Sequence, residues 1–117
     1  MFRFEKLDVW HEAVGFADLV YSVTRKFPTD ERFGLTSQMR RAAVSVSSNI
    51  AEGSSRRSDI DFARFLEIAY GSLMEVVSQS CISKQQHFLT KDNYDLVYAS
   101  AEKVSRMLSG LKNSLER

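Results

Sequence analysis

The sequence predicts an all-α protein, an antiparallel up-down-up-down four-helix bundle in which residues 1–117 make a single domain. Three observations carry that prediction. Apolar residues recur at three- and four-residue steps in four separate blocks, the spacing of one helix face. Helix breakers are scarce: Pro28 is the sole proline, and the five glycines are scattered. No block shows the strict alternation of a half-buried strand. Four such helices with short connections pack most simply as a bundle.

The first helix begins near Asp8, its predicted cap, and carries Trp10, Ala13, Val14, Ala17, Val20, Tyr21 and Thr24 on one face. Residues 26–34 end it, because Pro28 disfavours helical geometry at Phe27. The second helix starts at Leu35 or Thr36 and runs to Gly53, read as its stop. Its core stripe is Met39, Ala43, Val46 and Ile50. After a turn at residues 54–58, Ser58 or Asp59 caps a third helix whose face is Phe62, Phe65, Leu66, Ala69, Leu73, Val76 and Val77, extending to about Gln86. Residues 87–90 connect to the last helix. Thr90 caps it, and Tyr94, Val97, Ala101, Val104, Leu108, Leu111 and Leu115 form its buried side.

Composition narrows the function. A net charge of +1 supplies no global basic field for nucleic acid, so any such binding needs a local patch. The lone Cys81 cannot form an intrachain disulfide. Charges at Arg3, Glu5 and Lys6 interrupt any signal-peptide run, and no segment is apolar enough to span a membrane. The expected compartment is the cytoplasm.

The sequence carries no recognisable catalytic or metal motif. His11 and His87 lie far apart, and Cys81 has no histidine near it in sequence. The Glu-x-x-His spacing of a di-metal bundle is absent, as are a cysteine pair for zinc and a glycine-rich phosphate loop. The expectation is a protein that is not an enzyme, with no cofactor, no metal and no small-molecule substrate.

The informative stretch is "QMRRAAVSVSSNIAEG", residues 38–53. Beside the core stripe of the second helix runs another, Gln38, Ala42, Ser45, Asn49 and Glu52, small or polar throughout. A solvated face normally carries more Lys and Glu, so this stripe is expected to meet another surface, in the same chain or in a second subunit. Asn49 and Glu52 have no nucleophile or base beside them and read as a packing pair. Charge is also segregated. Residues 32–57 hold Arg32, Arg40, Arg41, Arg56 and Arg57 against Glu52, while residues 58–80 hold Asp59, Asp61, Glu67 and Glu75 against Arg64. Guanidinium groups suit phosphate, which makes Arg40, Arg41, Arg56 and Arg57 candidate nucleic-acid contacts. The competing arrangement is ion pairing across antiparallel helices, with Arg41–Glu75 and Glu52–Arg64 as the expected pairs. The turn arginines Arg56 and Arg57 have fewer acids nearby and are the stronger phosphate candidates.

"EKLDVWHEA" (5–13), "FPTDERFGLTSQMRRAAVSVSSNIAEG" (27–53) and "FARFLEIAYGSLMEV" (62–76) resemble the four-helix-bundle proteins of the 23S rRNA intervening-sequence family, also labelled S23 ribosomal protein. The resemblance spans nearly the whole chain. It maps the family motif onto Gln38, Arg40, Arg41, Ala42, Ala43, Ser45, Asn49, Ile50, Ala51, Glu52 and Gly53, with Gly71, Ser72, Leu73 and Glu75 on the third helix. It implies an antiparallel bundle that assembles with itself, as a homopentamer, and associates with structured RNA such as 23S rRNA. The alternative is an oligomeric protein-interaction scaffold whose arginines are structural. Two departures stand out. "SSRR" follows Gly53 where a Gly-Arg start is common, leaving the turn basic, and residues 78–89 are more polar than the leucine-rich end typical of the family.

Overall fold

The computed structural model describes all 117 residues. It is all-α. A 3-10 turn at Arg3–Lys6 leads into α1 (Asp8–Thr24), a second at Thr29–Glu31 into α2 (Leu35–Ser54), and α3 (Asp59–Gln85) and α4 (Lys91–Leu115) follow. The molecule measures 44 × 22 × 21 Å. At about 1.5 Å per residue, α3 alone spans nearly the long axis. Each helix packs on its neighbours in a closed ring, α1 on α2, α2 on α3, α3 on α4 and α4 on α1, and α2 meets α3 most extensively.

The core stripe predicted for α2 is buried in full: Met39, Ala43, Val46 and Ile50 are inaccessible. Phe62, Leu66, Leu73 and Val76 of α3 and Val97, Val104 and Leu108 of α4 meet it. On α1 the buried face is rotated from the predicted one. Phe16 and Val23 are inside, whereas Tyr21 is 38% exposed. The rotation lets Val9, Ala13, Phe16, Val20 and Val23 form one stripe and frees Tyr21 for a cation.

Helix ends follow local chemistry. The Ser58 and Thr90 hydroxyls accept from the backbone N–H groups of Asp61 and Asn93, satisfying orphan donors at the starts of α3 and α4. Each such cap contributes on the order of 1 kcal/mol. Asp8 is not the cap of α1. Leu7 occupies that position, and Asp8 lies in the first turn, where its charge suits the helix dipole. At α2, Gly34 has no side chain to offer, and the Glu31 carboxylate accepts from Leu35 N–H at 3.1 Å instead. α3 closes on His87, whose φ of 64° is left-handed. Phe88 N–H returns to Ser83 O and His87 N–H to Lys84 O, the paired bonds of a Schellman ending. Phe88 then packs beside Phe27, sealing that end of the core.

Gly53 corrects the sequence reading most instructively. α2 continues past it to Ser54 with no positive φ at any glycine, so Gly53 is not a stop. It is buried against α3, and a Cβ built there would lie 2.6 Å from Phe65 Cβ and 3.0 Å from Phe62 Cδ1. Glycine is required for close approach, not for backbone freedom. Gly53→Ala is expected to destabilise the fold by about 1–3 kcal/mol through overpacking, read as a lowered denaturation midpoint.

Across the α3–α4 groove, Cys81 Sγ and Tyr94 Oη lie 3.2 Å apart, and Lys84 Nζ sits 4.3 Å over the Tyr94 ring. The bond to Cys81, and then burial, push the Tyr94 hydroxyl from its usual 10.0 up to about 12. The folded state holds this proton more tightly than the unfolded chain. Its stabilising contribution is complete below the unfolded value and is lost as pH rises through the folded one. The stability difference between wild type and Tyr94→Phe should therefore be flat below pH 10 and drift against the wild type between pH 10 and about 12, as followed by denaturant titration.

Candidate nucleic-acid interface and the α2–α3 cleft

Small residues let α2 and α3 approach closely, and the polar stripe of α2 falls along that seam. Ser45 Oγ and Ser72 Oγ hydrogen-bond at 2.9 Å across it. Asn49 Nδ2 donates to Ser45 O at 2.8 Å and to Ser45 Oγ at 3.0 Å. Ser45 and Asn49 thus form one network on the inner edge of the helix pair, and it reaches α3 of the same chain. Gln38 and Glu52, at the two ends of the stripe, are exposed.

Towards the Gln38 end the seam widens into a cleft of about 270 Å³ lined by Gln38, Arg41, Ala42, Ser45, Ser72, Glu75 and Gln79. Six of the residues singled out from the sequence meet here: Gln38, Arg41, Ala42, Ser45, Ser72 and Glu75. Arg41 and Glu75 share the cleft as expected from their register, yet they form no ion pair, and both are exposed. Arg41 lies on the α2 wall, and Glu75 and Gln79 lie on the α3 wall. Gln79 Oε1 is buried with no hydrogen-bond partner. Gln79 was not among the sequence candidates. Its position four residues after Glu75, on the flank that also carries Ser72, is the signal that would have found it.

The candidate arginines separate into different environments. Arg40 is committed to α1: its Nε donates to Thr24 Oγ1 at 2.9 Å, its Nη2 to Tyr21 O at 3.4 Å, and its guanidinium lies 4.6 Å over the Tyr21 ring. It neither pairs with Glu75 nor projects freely. Arg56 bonds Glu52 at 3.3 Å and covers the Phe65 ring at 4.6 Å, so it has more local partners than the turn's composition implied. Arg57 is exposed and forms no ion pair. The expected Glu52–Arg64 pair does not form: Glu52 takes Arg56, and Arg64 takes Asp61 at 3.7 Å. Partners three or four residues away in the chain reach each other without spanning a helix interface, and here they win, Arg56 from the turn after α2 and Asp61 from the same helix as Arg64.

The remaining chemically capable groups are dispersed. His11 Nε2 lies 2.7 Å from Glu5 O, and Cys81 is bound to Tyr94. No three His, Cys, Asp or Glu side chains gather closely enough to hold a metal ion. No helix is long and apolar enough to cross a membrane.

Among curated proteins, none matches the sequence. Among solved structures, the chain is similar to the 1.70 Å crystal structure of a protein of unknown function from the S23 ribosomal protein family of Bacteroides thetaiotaomicron VPI-5482. The TM-score is 0.82 at 19% identity, covering 90% of this chain and 95% of that one. At that identity the likeness establishes the fold. The sequence itself matches the family described as 23S rRNA-intervening sequence protein over residues 5–110. The chain belongs to the 23S rRNA-intervening sequence protein family.

Proposed function

We propose that this protein is a non-enzymatic, cytoplasmic, self-associating RNA-associated protein that contacts structured RNA such as 23S rRNA through basic residues displayed on an oligomeric ring. The observation that carries the reading is the state of the arginines. Arg41 and Arg57 are exposed and form no ion pair. Arg56, although paired with Glu52, keeps its side chain 43% exposed beside Arg57. These three supply the phosphate contacts, with Arg57 foremost. Arg40 holds α1 against α2. The unit is an antiparallel up-down-up-down bundle, a reading supported by the order of contacts: Met39 meets Ser83, Ser45 meets Ser72, and Gly53 meets Phe62 and Phe65.

Self-association draws support from the outward side of α3, where Ile60 is 78%, Ile68 49% and Ile82 47% exposed, with Val44 of α2 at 41%. Contiguous apolar patches mark interaction surfaces, and a second copy would cover these side chains together. A second copy of the chain, with the pentamer of the family resemblance as the assembly, is the partner proposed here. A ring repeats each weak patch, so simultaneous engagement raises avidity without new contacts.

Binding of the full chain to a labelled 23S rRNA fragment at several salt concentrations tests the reading. Affinity is expected to fall linearly with salt on logarithmic axes, because phosphate contacts release counterions. Arg57→Ala is expected to weaken binding and to make that slope shallower by about 1 for each phosphate it no longer neutralises, at unchanged oligomeric mass. Salt-insensitive binding, or none at low salt, would overturn it. Arg40→Ala should behave differently. Loss of its bonds to Thr24 and Tyr21 is expected to cost roughly 1–3 kcal/mol of stability, measured by denaturation, while the salt slope stays unchanged.

A further inference from the structure

We propose that the outward face of α3 is a two-fold interface, on which a second copy of this chain lays the same face of its own α3 in the antiparallel direction, crossing at Gly71. The inference rests on the self-association read above and adds a contact of a different symmetry from a ring. The starting observation is Gly71. It stands in the interior of the longest helix, where glycine is less stable than alanine. Its φ is not positive, and a Cβ built there meets nothing within 4 Å. Gly53 has a reason within the chain, the approach of Phe65, and Gly71 has no such reason. Gly15 and Gly110 also face open space, but no exposed large apolar residue lies within one turn of either. Gly71 has Ile68 one turn before it and Met74 one turn after it, both exposed.

The rest of this face is complementary to itself. Ile60, Gly71 and Ile82 recur about three helical turns apart, so they fall on one line along the helix, and both isoleucines are exposed. A second α3 laid antiparallel on that line, with the two Gly71 residues together, brings Ile60 against Ile82 of the partner subunit, and the reverse. Ile68 and Met74 flank the crossing and are covered by it. The absent Cβ lets the helix axes approach closely enough for these side chains to interlock. Charge agrees with the same register. Arg64 comes within about one turn of Glu75 of the partner subunit, and symmetry repeats the pair. Glu75 is exposed and forms no ion pair within the chain, and Arg64 has one loose contact, with Asp61 at 3.7 Å. Glu67, the other acid near the crossing, is held by Lys112. A parallel pairing would instead oppose Arg64 to Arg64 and Glu75 to Glu75. Self-complementarity of this kind identifies the occupant as a second copy, because an isologous interface pairs one patch with itself. Such a contact closes after two copies. It joins two chains, or two rings, and leaves the head-to-tail contacts of a ring to other faces.

The test is light scattering of the full chain across a concentration series, with variants alongside. The expected mass is that of an even number of chains. Gly71→Ala, which has room for its methyl within the chain, is expected to weaken association about tenfold at unchanged helix content, by forcing the two axes apart. Gly110→Ala, the same change at an equally open glycine, should leave association unchanged. Arg64→Glu and Glu75→Arg should each weaken association several-fold, and the double variant that swaps the two charges should restore it. The two positions lie about 16 Å apart along one helix, so restoration cannot arise within a single chain. An assembly of five chains and no more, unchanged association in Gly71→Ala, or a double variant no better than its parents would overturn the two-fold contact and leave self-association standing. A wild-type chain that stays monomeric at millimolar concentration would overturn both.

Discussion

The missing Cβ of Gly53 sets the distance between α2 and α3, and the rest of the molecule adjusts to that distance. Phe65 Cβ would lie 2.6 Å from any Cβ at Gly53, too close for both. Small groups continue the seam at Ala42, Ser45, Ser72 and Ala69, so the helices stay close along their length. Helix packing this close leaves little room for large side chains between the two. The bulky core residues, Phe16, Phe62, Met39, Leu66 and Leu108, lie on the inner faces where all the helices converge.

Close approach also decides which polar groups the seam can hold. Serine hydroxyls are short enough to reach one another across it, and Asn49 locks Ser45 from within its own helix. Longer side chains cannot fold into the seam and are displaced to its mouth. That is where Gln38, Arg41, Glu75 and Gln79 collect, and it explains how a cleft rich in uncommitted polar groups exists on a bundle whose other ion pairs are simple surface contacts. Lys112 shows the alternative. It bonds Glu67 across to α3 and Glu116, just past the end of its own helix, at 3.1 Å each, and both bonds raise its pKa.

Sequence reading succeeded where structure is decided locally. The Ser58 and Thr90 caps depend on a hydroxyl and an N–H three residues on, and the α2 core stripe depends only on helical period. It failed at the cap of α1, where Leu7 and not Asp8 holds the position, and where local and cross-helix partners compete. A glycine ending an amphipathic run has two uses, a positive φ or an absent Cβ, and only the presence of Phe65 distinguishes them. Register across the turn predicts a Glu52–Arg64 pair, but each charge has a partner nearer in the chain, Arg56 in the turn for Glu52 and Asp61 on α3 for Arg64. The commitment of Arg40 to Thr24 and Tyr21 required knowing that α1 rotates Tyr21 outward. Of the cleft, Gln38, Ala42 and Ser45 were legible as a small or polar stripe beside the core, Arg41 and Glu75 as facing charges in antiparallel register, and Ser72 from the family motif. Gln79 was not, because an amide in a polar stretch reads as solvated until the fold buries its oxygen.

The division of labour among the arginines follows from the same geometry. A near-neutral chain cannot draw RNA through its overall field, so any affinity depends on which guanidinium groups remain unspent after folding. Aromatic rings decide much of this: Tyr21 and Phe65 hold Arg40 and Arg56 by their faces, and Phe62 holds Arg3. Those cations are attached to the hydrophobic body of the bundle, and their loss is felt as stability. Arg57 at the turn and Arg41 at the cleft have no such anchor. They sit towards opposite ends of the α2–α3 seam, Arg57 in the turn after α2 and Arg41 beside the cleft.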